Sequence, residues 1–233
     1  MKFIDIAPIA RIHAFLDNID VGDHWVHGDL EAYSCKLAGL DKKLSRSLDH
    51  DVQLGSSPLE FSKSPVGPLS EASSRRTLIY LILTLNHAYP DYDFSQLKAS
   101  NFCKETGLSA VEEAVDTHLL EISRVWENTP NAGDSSFLDS LWMAIDEAIV
   151  LKESDVYSYK SDLESDPFGE NGSVWSFNFF FYNKKMKRIL YFSCRATSKA
   201  ATAKQESSDI KYNSDSDADQ DASKYGMANE MDL

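Results

Sequence analysis

The sequence predicts an α+β fold: an antiparallel sheet of about four strands with helices packed on it, in a single domain. Three observations lead there. The middle of the chain repeats apolar residues every three or four positions, the period of a helix with one buried face. Its last third changes to runs of aromatic and β-branched residues joined by a short polar turn, the pattern of a hairpin. Between His24 and Leu37 the residues alternate, as in a strand with two unlike faces.

Taken in order, residues 3–17 carry Phe3, Ile4, Ile6, Ile9, Ile12, Phe15 and Leu16, which predicts an amphipathic helix interrupted early by Pro8. In the strand that follows, Val26, Gly28, Leu30, Ala32 and Ser34 share one side. Trp25, His27, Tyr33, Cys35 and Leu37 share the other. Residues 40–74 collect serines, and Gly55-Ser56-Ser57-Pro58, Ser64-Pro65 and Gly67-Pro68 break regular structure. This segment is expected to be a mobile linker or insertion between residues 1–39 and 75–198, the two parts of one globular domain.

Thr77 to Ala88 is apolar on nearly every face, as a central helix would be, and Pro90 stops it. Ser109-Ala110-Val111-Glu112 has the form of a capping box ahead of the stripe Val111, Val115, Leu119, Ile122. A further helix is expected from Ser136 to Leu151. Asp155 to Tyr159 reads as a short strand, and 166–172 as a turn. Val174–Tyr182 and Arg188–Ala196 form the hairpin. Residues 199–233 are rich in Ser, Asp and Lys and are expected to be a disordered acidic tail.

Composition narrows the function. Hydrophobic residues make up 42% of the 233, enough for a core, while no apolar run approaches the roughly 20 residues of a membrane helix. The first residues do not read as a targeting peptide. Cys35, Cys103 and Cys194 are odd in number and far apart, the usage expected of a reducing compartment. Net charge is −14. Residues 199–233 hold four lysines and eight acids and so contribute −4, which leaves −10 on residues 1–198. A chain this acidic is repelled by nucleic acid, and a basic protein is the more natural partner.

No residue set with catalytic spacing is found. His24 and His27 sit three apart on a strand, so they point to opposite faces and do not share an ion. Asp162, Glu164 and Asp166 imitate the start of a calcium loop, but Pro167 stands where glycine is needed and Ser173 where the closing glutamate belongs. Nucleophile elbows, phosphate loops and dinucleotide fingerprints are absent. These readings point to a protein that is not an enzyme and needs no cofactor or metal.

The hairpin has two readings. Trp175, Phe177, Phe179 and Phe181 on one face, beside Lys184, Lys185, Lys187 and Arg188, have the composition of a base-stacking platform, and a nucleic-acid-binding protein using residues 174–196 is the alternative function. With net charge opposed, the aromatics are instead read as core under helices. The basic cluster 184–188 is a candidate nuclear import signal as well as a solvated turn. Ser45, after Lys42-Lys43-Leu44, fits basophilic kinases, and Ser57-Pro58 and Ser64-Pro65 fit proline-directed ones.

Longer strings carry the reading further. Pro90-Asp91-Tyr92-Asp93-Phe94-Ser95, Ser165-Asp166-Pro167-Phe168-Gly169-Glu170, Trp175-Ser176-Phe177-Asn178 and Phe180-Phe181-Tyr182-Asn183-Lys184, with Lys187-Arg188-Ile189, resemble the Maf-type repressors of RNA polymerase III. Ile4 and Glu31-Ala32-Tyr33-Ser34-Cys35-Lys36 match that family's N-terminal block more loosely. The resemblance implies one α+β domain built from both blocks. It implies binding to the polymerase clamp region, which impairs association with promoter-bound initiation factor IIIB, and contact with that factor's Brf-type subunit. Protein kinases and phosphatases would then set its activity and its distribution between nucleus and cytoplasm. Some members carry several Arg-Arg-x-Ser sites, whereas this chain has only the Lys42-Lys43-Leu44-Ser45 version.

Overall fold

The structure, a computed structural model, describes residues 1–129, 135–161, 166–169 and 172–201. Its centre is an antiparallel sheet in the order β1 (Lys2–Ile4), β3 (His24–Ser34), β7 (Arg188–Ser198), β6 (Ser173–Asn183), β5 (Asp155–Tyr159), β4 (Phe102–Lys104). Strand β2 (Ile19–Asp20) pairs with the far end of β3. The sheet therefore has seven strands, not about four. The three extra strands are two or three residues long, too short to show a period of two, and they extend the sheet at its margins. The four strands read from the sequence are its long interior. Residues 1–39 and 75–198 meet in one sheet because β3 lies against β7 in continuous register from His24↔Ser198 to Ser34↔Arg188.

Both faces of the sheet are covered, and the alternation of side chains divides the core in two. On one face Val26, Leu30, Phe177, Phe179, Phe181, Leu190 and Phe192 pack under α1 (Ala7–Leu16), α5 (Leu108–Glu127) and α6 (Phe137–Ile149). On the other, Tyr33, Tyr157, Phe180, Tyr182, Ile189 and Tyr191 pack under α4 (Ala72–Ala88), with α2 (Gly39–Gly55) outside it. This explains the near-continuous aromatic run of β6, since a strand buried on both faces loses its polar positions. Gly28 lets α1 come close: a Cβ there would lie 2.7 Å from the Cys194 sulfur and 3.1 Å from Leu16 Cβ.

Four further expectations are corrected. Residues 2–4 form a strand, and the helix begins at Ala7, with Pro8 in the first turn where its missing N–H costs nothing. The strand from His24 ends at Ser34, not Leu37. Helix α5 begins after Gly107, whose extended backbone is the cap, so Ser109 lies inside the first turn and no side chain caps it. Finally, regular structure is not broken throughout 40–74. Leu40, Leu44, Leu48 and Val52 recur every four residues along α2, the Gly55–Pro58 cluster marks its C-terminal end, and the other two clusters follow α3. Gly55 closes α2. Ser57 opens α3 (Pro58–Ser62) with a capping box in which its oxygen accepts from the Glu60 amide while Glu60 accepts from the Ser57 amide. Leu48, Val66 and Leu69 reach the second core. Residues 202–233, most of the predicted tail, lie outside the described residues.

Candidate interaction surface

The motif strings are far apart in sequence, and the sheet brings two of them together around a pair of tyrosines. Helix α4 ends at Tyr89, and the Asn86 side-chain oxygen accepts from the Phe94 amide at 2.9 Å, folding the loop back on the helix. Asp93 accepts from the Ser95 amide at 2.9 Å. Phe94 is buried against Tyr89 and Tyr159, at 6.3 Å from each ring. From the other side Phe168 enters edge-on to Tyr89 at 5.3 Å and to Tyr159 at 6.2 Å.

Asp166 makes that second approach. It is buried, and its carboxylate accepts from the Tyr159 hydroxyl (2.9 Å), the Ser161 hydroxyl (2.8 Å) and the Phe168 amide (3.0 Å). The Pro167 carbonyl accepts from Arg195 at 2.8 Å. Asp166 is thus a turn-forming residue rather than part of a cation loop; Asp162 and Glu164 lie outside the described residues. His24 and His27 do not converge, and among the described residues no group of three or more His, Cys, Asp and Glu is placed to hold a metal ion.

A polar ladder ties this cluster to the N-terminal block. The Tyr89 hydroxyl donates to Asp29 at 3.0 Å and lies 2.9 Å from the Ser193 hydroxyl. The neighbouring Tyr191 donates to the Asn178 oxygen at 2.6 Å. Asp29 also faces His27 (3.6 Å), whose other nitrogen is 3.2 Å from Asp17. Asp29 raises the His27 pKa, outweighing the opposing effect of burial. Burial opposes ionisation of Asp29, but contacts with His27 and Tyr89 prevail and hold its carboxyl below the usual range. Glu31 is the reverse case: burial raises it, and Tyr33 donates to it at 2.5 Å. Asp29 stands out in the sequence only as a neighbour of His24 and His27 in a suggestive metal-ligand group, and Tyr89, Tyr159, Ser193 and Tyr191 are not singled out by sequence reasoning. The available signal was polar residues inside otherwise apolar strands.

The motif residues now divide. Phe94, Asp166, Pro167, Phe168, Phe177, Asn178, Tyr182 and Asn183 are buried; Ser95, Gly169 and Trp175 are half-buried. Pro90, Asp91, Tyr92 and Asp93 stand exposed at the loop's tip, and the Tyr92 ring rests 6.2 Å from Phe94. The next residues, Ser95 to Ala99, line a cavity of about 410 Å³ whose far wall is Leu48, Asp51, Val52, Ser56, Glu60 and Leu69. The loop and the 40–74 segment therefore share a boundary.

The three serines fall in this segment: Ser45 is half-buried on α2, Ser57 is the exposed cap of α3, and Ser64 closes a turn by donating to the Gly67 carbonyl at 2.5 Å. At the hairpin turn Lys184, Lys185 and Lys187 are exposed, but Arg188 is not a free cation. It donates to the Ala148 carbonyl at 2.5 Å, and Asn183 donates to the Ile149 carbonyl at 2.9 Å, so the hairpin caps the last turn of α6. Cys35 and Cys194 are buried core thiols, and burial pushes Cys35 up to about 12. No helix among the described residues is long and apolar enough to cross a membrane.

Comparison with known proteins agrees with the strings. A family model described as Maf1 regulator matches residues 26–193. The chain is 34% identical to a Dictyostelium discoideum protein named repressor of RNA polymerase III transcription, over 91% of this chain and 90% of that one. It is 35% identical to the Schizosaccharomyces pombe protein named repressor of RNA polymerase III transcription maf1, over 94% and 90%. A crystal structure of citrus MAF1 superposes with a TM-score of 0.65 at 42% identity, covering 83% of this chain and all of that one. The motif strings, the sheet that assembles them and these likenesses agree, and the chain belongs to the Maf1 regulator family.

Proposed function

We propose that this protein represses transcription by RNA polymerase III through direct contact with the polymerase, and that the exposed tip Pro90–Asp93 belongs to the contact surface. The observation that carries this is the division of the motif residues. Those that are buried are accounted for by packing and hydrogen bonds, whereas Asp91 and Tyr92 present their side chains at the surface, Tyr92 resting only on Phe94, and Asp93 beside them is exposed while it holds the turn through the Ser95 amide. An aromatic ring flanked by carboxylates suits a basic protein surface, with tyrosine supplying the contact area and the acids the steering. Docking at the clamp region would impair association with initiation factor IIIB, and the Brf-type subunit of that factor is a second partner.

Control by kinases and phosphatases follows the same geometry. Phosphate on Ser57 would add nearly two negative charges beside Ser56 and Glu60, which line the cavity that the motif loop also lines, and Ser45 lies on α2 one turn before Leu48 of the same wall. The lysines at 184, 185 and 187 are the exposed part of an import signal, giving a protein that moves between nucleus and cytoplasm. The nucleic-acid alternative is weakened, because Phe177, Phe179 and Phe181 are buried under helices and offer bases no open face to stack on.

The test is capture of purified RNA polymerase III by the full chain, together with factor-directed transcription of a tRNA gene. The wild type should bind, less tightly as salt rises, and suppress the transcript. The variant Asp91→Arg/Tyr92→Ala, which spares the Asp93 turn bond, should melt like the wild type yet lose both effects. Equal binding and repression by that variant would remove the tip from the interface; no binding by the dephosphorylated wild type would remove the polymerase.

A further inference from the structure

The molecule is strongly acidic, yet one end of it is not. Around the β6–β7 turn, Lys184, Lys185 and Lys187 are exposed, and other strands and turns bring more lysines to the same place. Lys104 on β4 and Lys184 both reach the Asp155 carboxylate, at 2.7 and 2.8 Å. Lys185 pairs with Glu153 at 3.2 Å, and Lys152 is exposed beside it. The Lys187 carbonyl accepts from the Cys35 amide at 2.9 Å, which brings the exposed Lys36 alongside. Six ammonium groups thus meet two carboxylates in contact with them, in a chain whose net charge is −14. Helix capping by Arg188 and Asn183 fixes the backbone of this end, so the lysines project from a fixed frame.

We propose that this basic rim is the docking site of the chain's own acidic segment, Asn213-Ser214-Asp215-Ser216-Asp217-Ala218-Asp219-Gln220-Asp221. Charge complementarity is one argument: four aspartates on alternate positions, without an intervening lysine, meet a rim with an excess of four cations. Reach is the other. The chain leaves the sheet at Ser198, at the opposite end of β7 from the turn; eleven strand residues place the two ends about 33 Å apart. The twelve residues 202–213 span up to about 40 Å when extended. The tether is therefore long enough to bring the acidic block to the rim. Occupied in this way, the rim is withheld from other acidic readers, the import reading of residues 184–187 included.

The experiment uses the full chain and a full-chain variant, Asp215→Asn/Asp217→Asn/Asp219→Asn/Asp221→Asn. Each is treated at low salt with a water-soluble amine-acetylating reagent, and the rate at every lysine is read by peptide mass spectrometry. In the wild type Lys184, Lys185 and Lys187 should react about two- to threefold more slowly than in the variant, the protection a millimolar contact gives at the millimolar effective concentration of a tethered segment. Lys42 and Lys63, exposed on the 40–74 segment, should react equally in both. Carbodiimide coupling of the wild type should join the block to rim lysines within one chain, and high salt should abolish it. Equal rim reactivity in the two proteins, or coupling spread evenly over all exposed lysines, would overturn the proposal.

Discussion

Replacing Asn183 by leucine isolates the joint between hairpin and helix. Asn183 is fully buried; its amide nitrogen donates to the Ile149 carbonyl at 2.9 Å, and its oxygen accepts from the Met186 amide at 3.0 Å. Leucine keeps the volume and removes both bonds. The Ile149 carbonyl also accepts from the Ser154 hydroxyl at 3.1 Å, so it keeps one donor and the loss is that of one hydrogen bond, about 0.5–1.5 kcal/mol. The Met186 amide sits at the half-buried turn and turns to solvent, costing about 0.5–1.5 kcal/mol. Together the variant should lose about 1–3 kcal/mol, which for a domain of this size lowers Tm by about 2–12 °C. Urea unfolding measures it: the midpoint should fall with an unchanged slope, since the exposed area on unfolding is the same. Lys185→Ala two residues on, with only an exposed ion pair to lose, should stay within about 0.5 kcal/mol of wild type. If Asn183→Leu shifts stability no more than Lys185→Ala, the hairpin does not cap α6 and the fixed frame assigned to the basic rim goes with it.

Other outcomes follow from the same structure. Gly28→Ala should destabilise by about 1–3 kcal/mol in the same urea assay, because its methyl meets the Cys194 sulfur and the Leu16 side chain of α1; wild-type stability would mean that α1 moves away freely. Phe179→Ala should cost about 3–5 kcal/mol, and a normal melting curve would show the β6 face to be open. The pair of His27 with Asp29 sets a pH window. The raised His27 pKa gives stability that is complete below its unfolded value, about 6.5, and is lost as pH rises through the folded value. The lowered Asp29 pKa gives stability that is lost only as pH falls below about 4. His27→Gln should therefore flatten the decline in urea midpoint between about pH 6 and pH 8; an unchanged slope there would assign the decline to other groups. Reversing Lys184, Lys185 and Lys187 to glutamate while sparing Arg188 should reduce nuclear accumulation without lowering Tm, and unchanged localisation of the folded variant would count against the import signal.

Much of this was legible in the sequence, for reasons that differ by element. Periodicity is a local property, so α4, α6, β6 and β7 could be read from it: each is long enough to show its period, and each is bounded by a breaker such as Pro90 or the Asn183–Lys187 turn. The burial of Phe177 and Phe179 followed from charge, which argued against a nucleic-acid face before any helix was placed over them. Family membership was also readable, because strings such as Pro90–Ser95 are long enough to be specific. Local reading failed where the deciding contact is distant. Strands β1, β2 and β4 are strands because a longer neighbour pairs with them. Helix α2 was obscured by its internal Ser45 and Ser47 and by the Gly/Ser/Pro clusters that follow it, although its four-residue spacing was present.

The sequence by itself determined the α+β class, the order of the long elements, the acidic balance and the family. Only the tertiary structure decided which motif residues are free to act. Phe94 and Tyr92 are two residues apart and both aromatic, yet one is sealed between Tyr89 and Tyr159 and the other faces outward. Arg188 and Lys187 are adjacent cations, yet one is committed to a helix end and the other to the surface. The reason is that burial and hydrogen-bond satisfaction belong to pairs of groups brought together across the sheet, and no property of a single position along the chain records its partner.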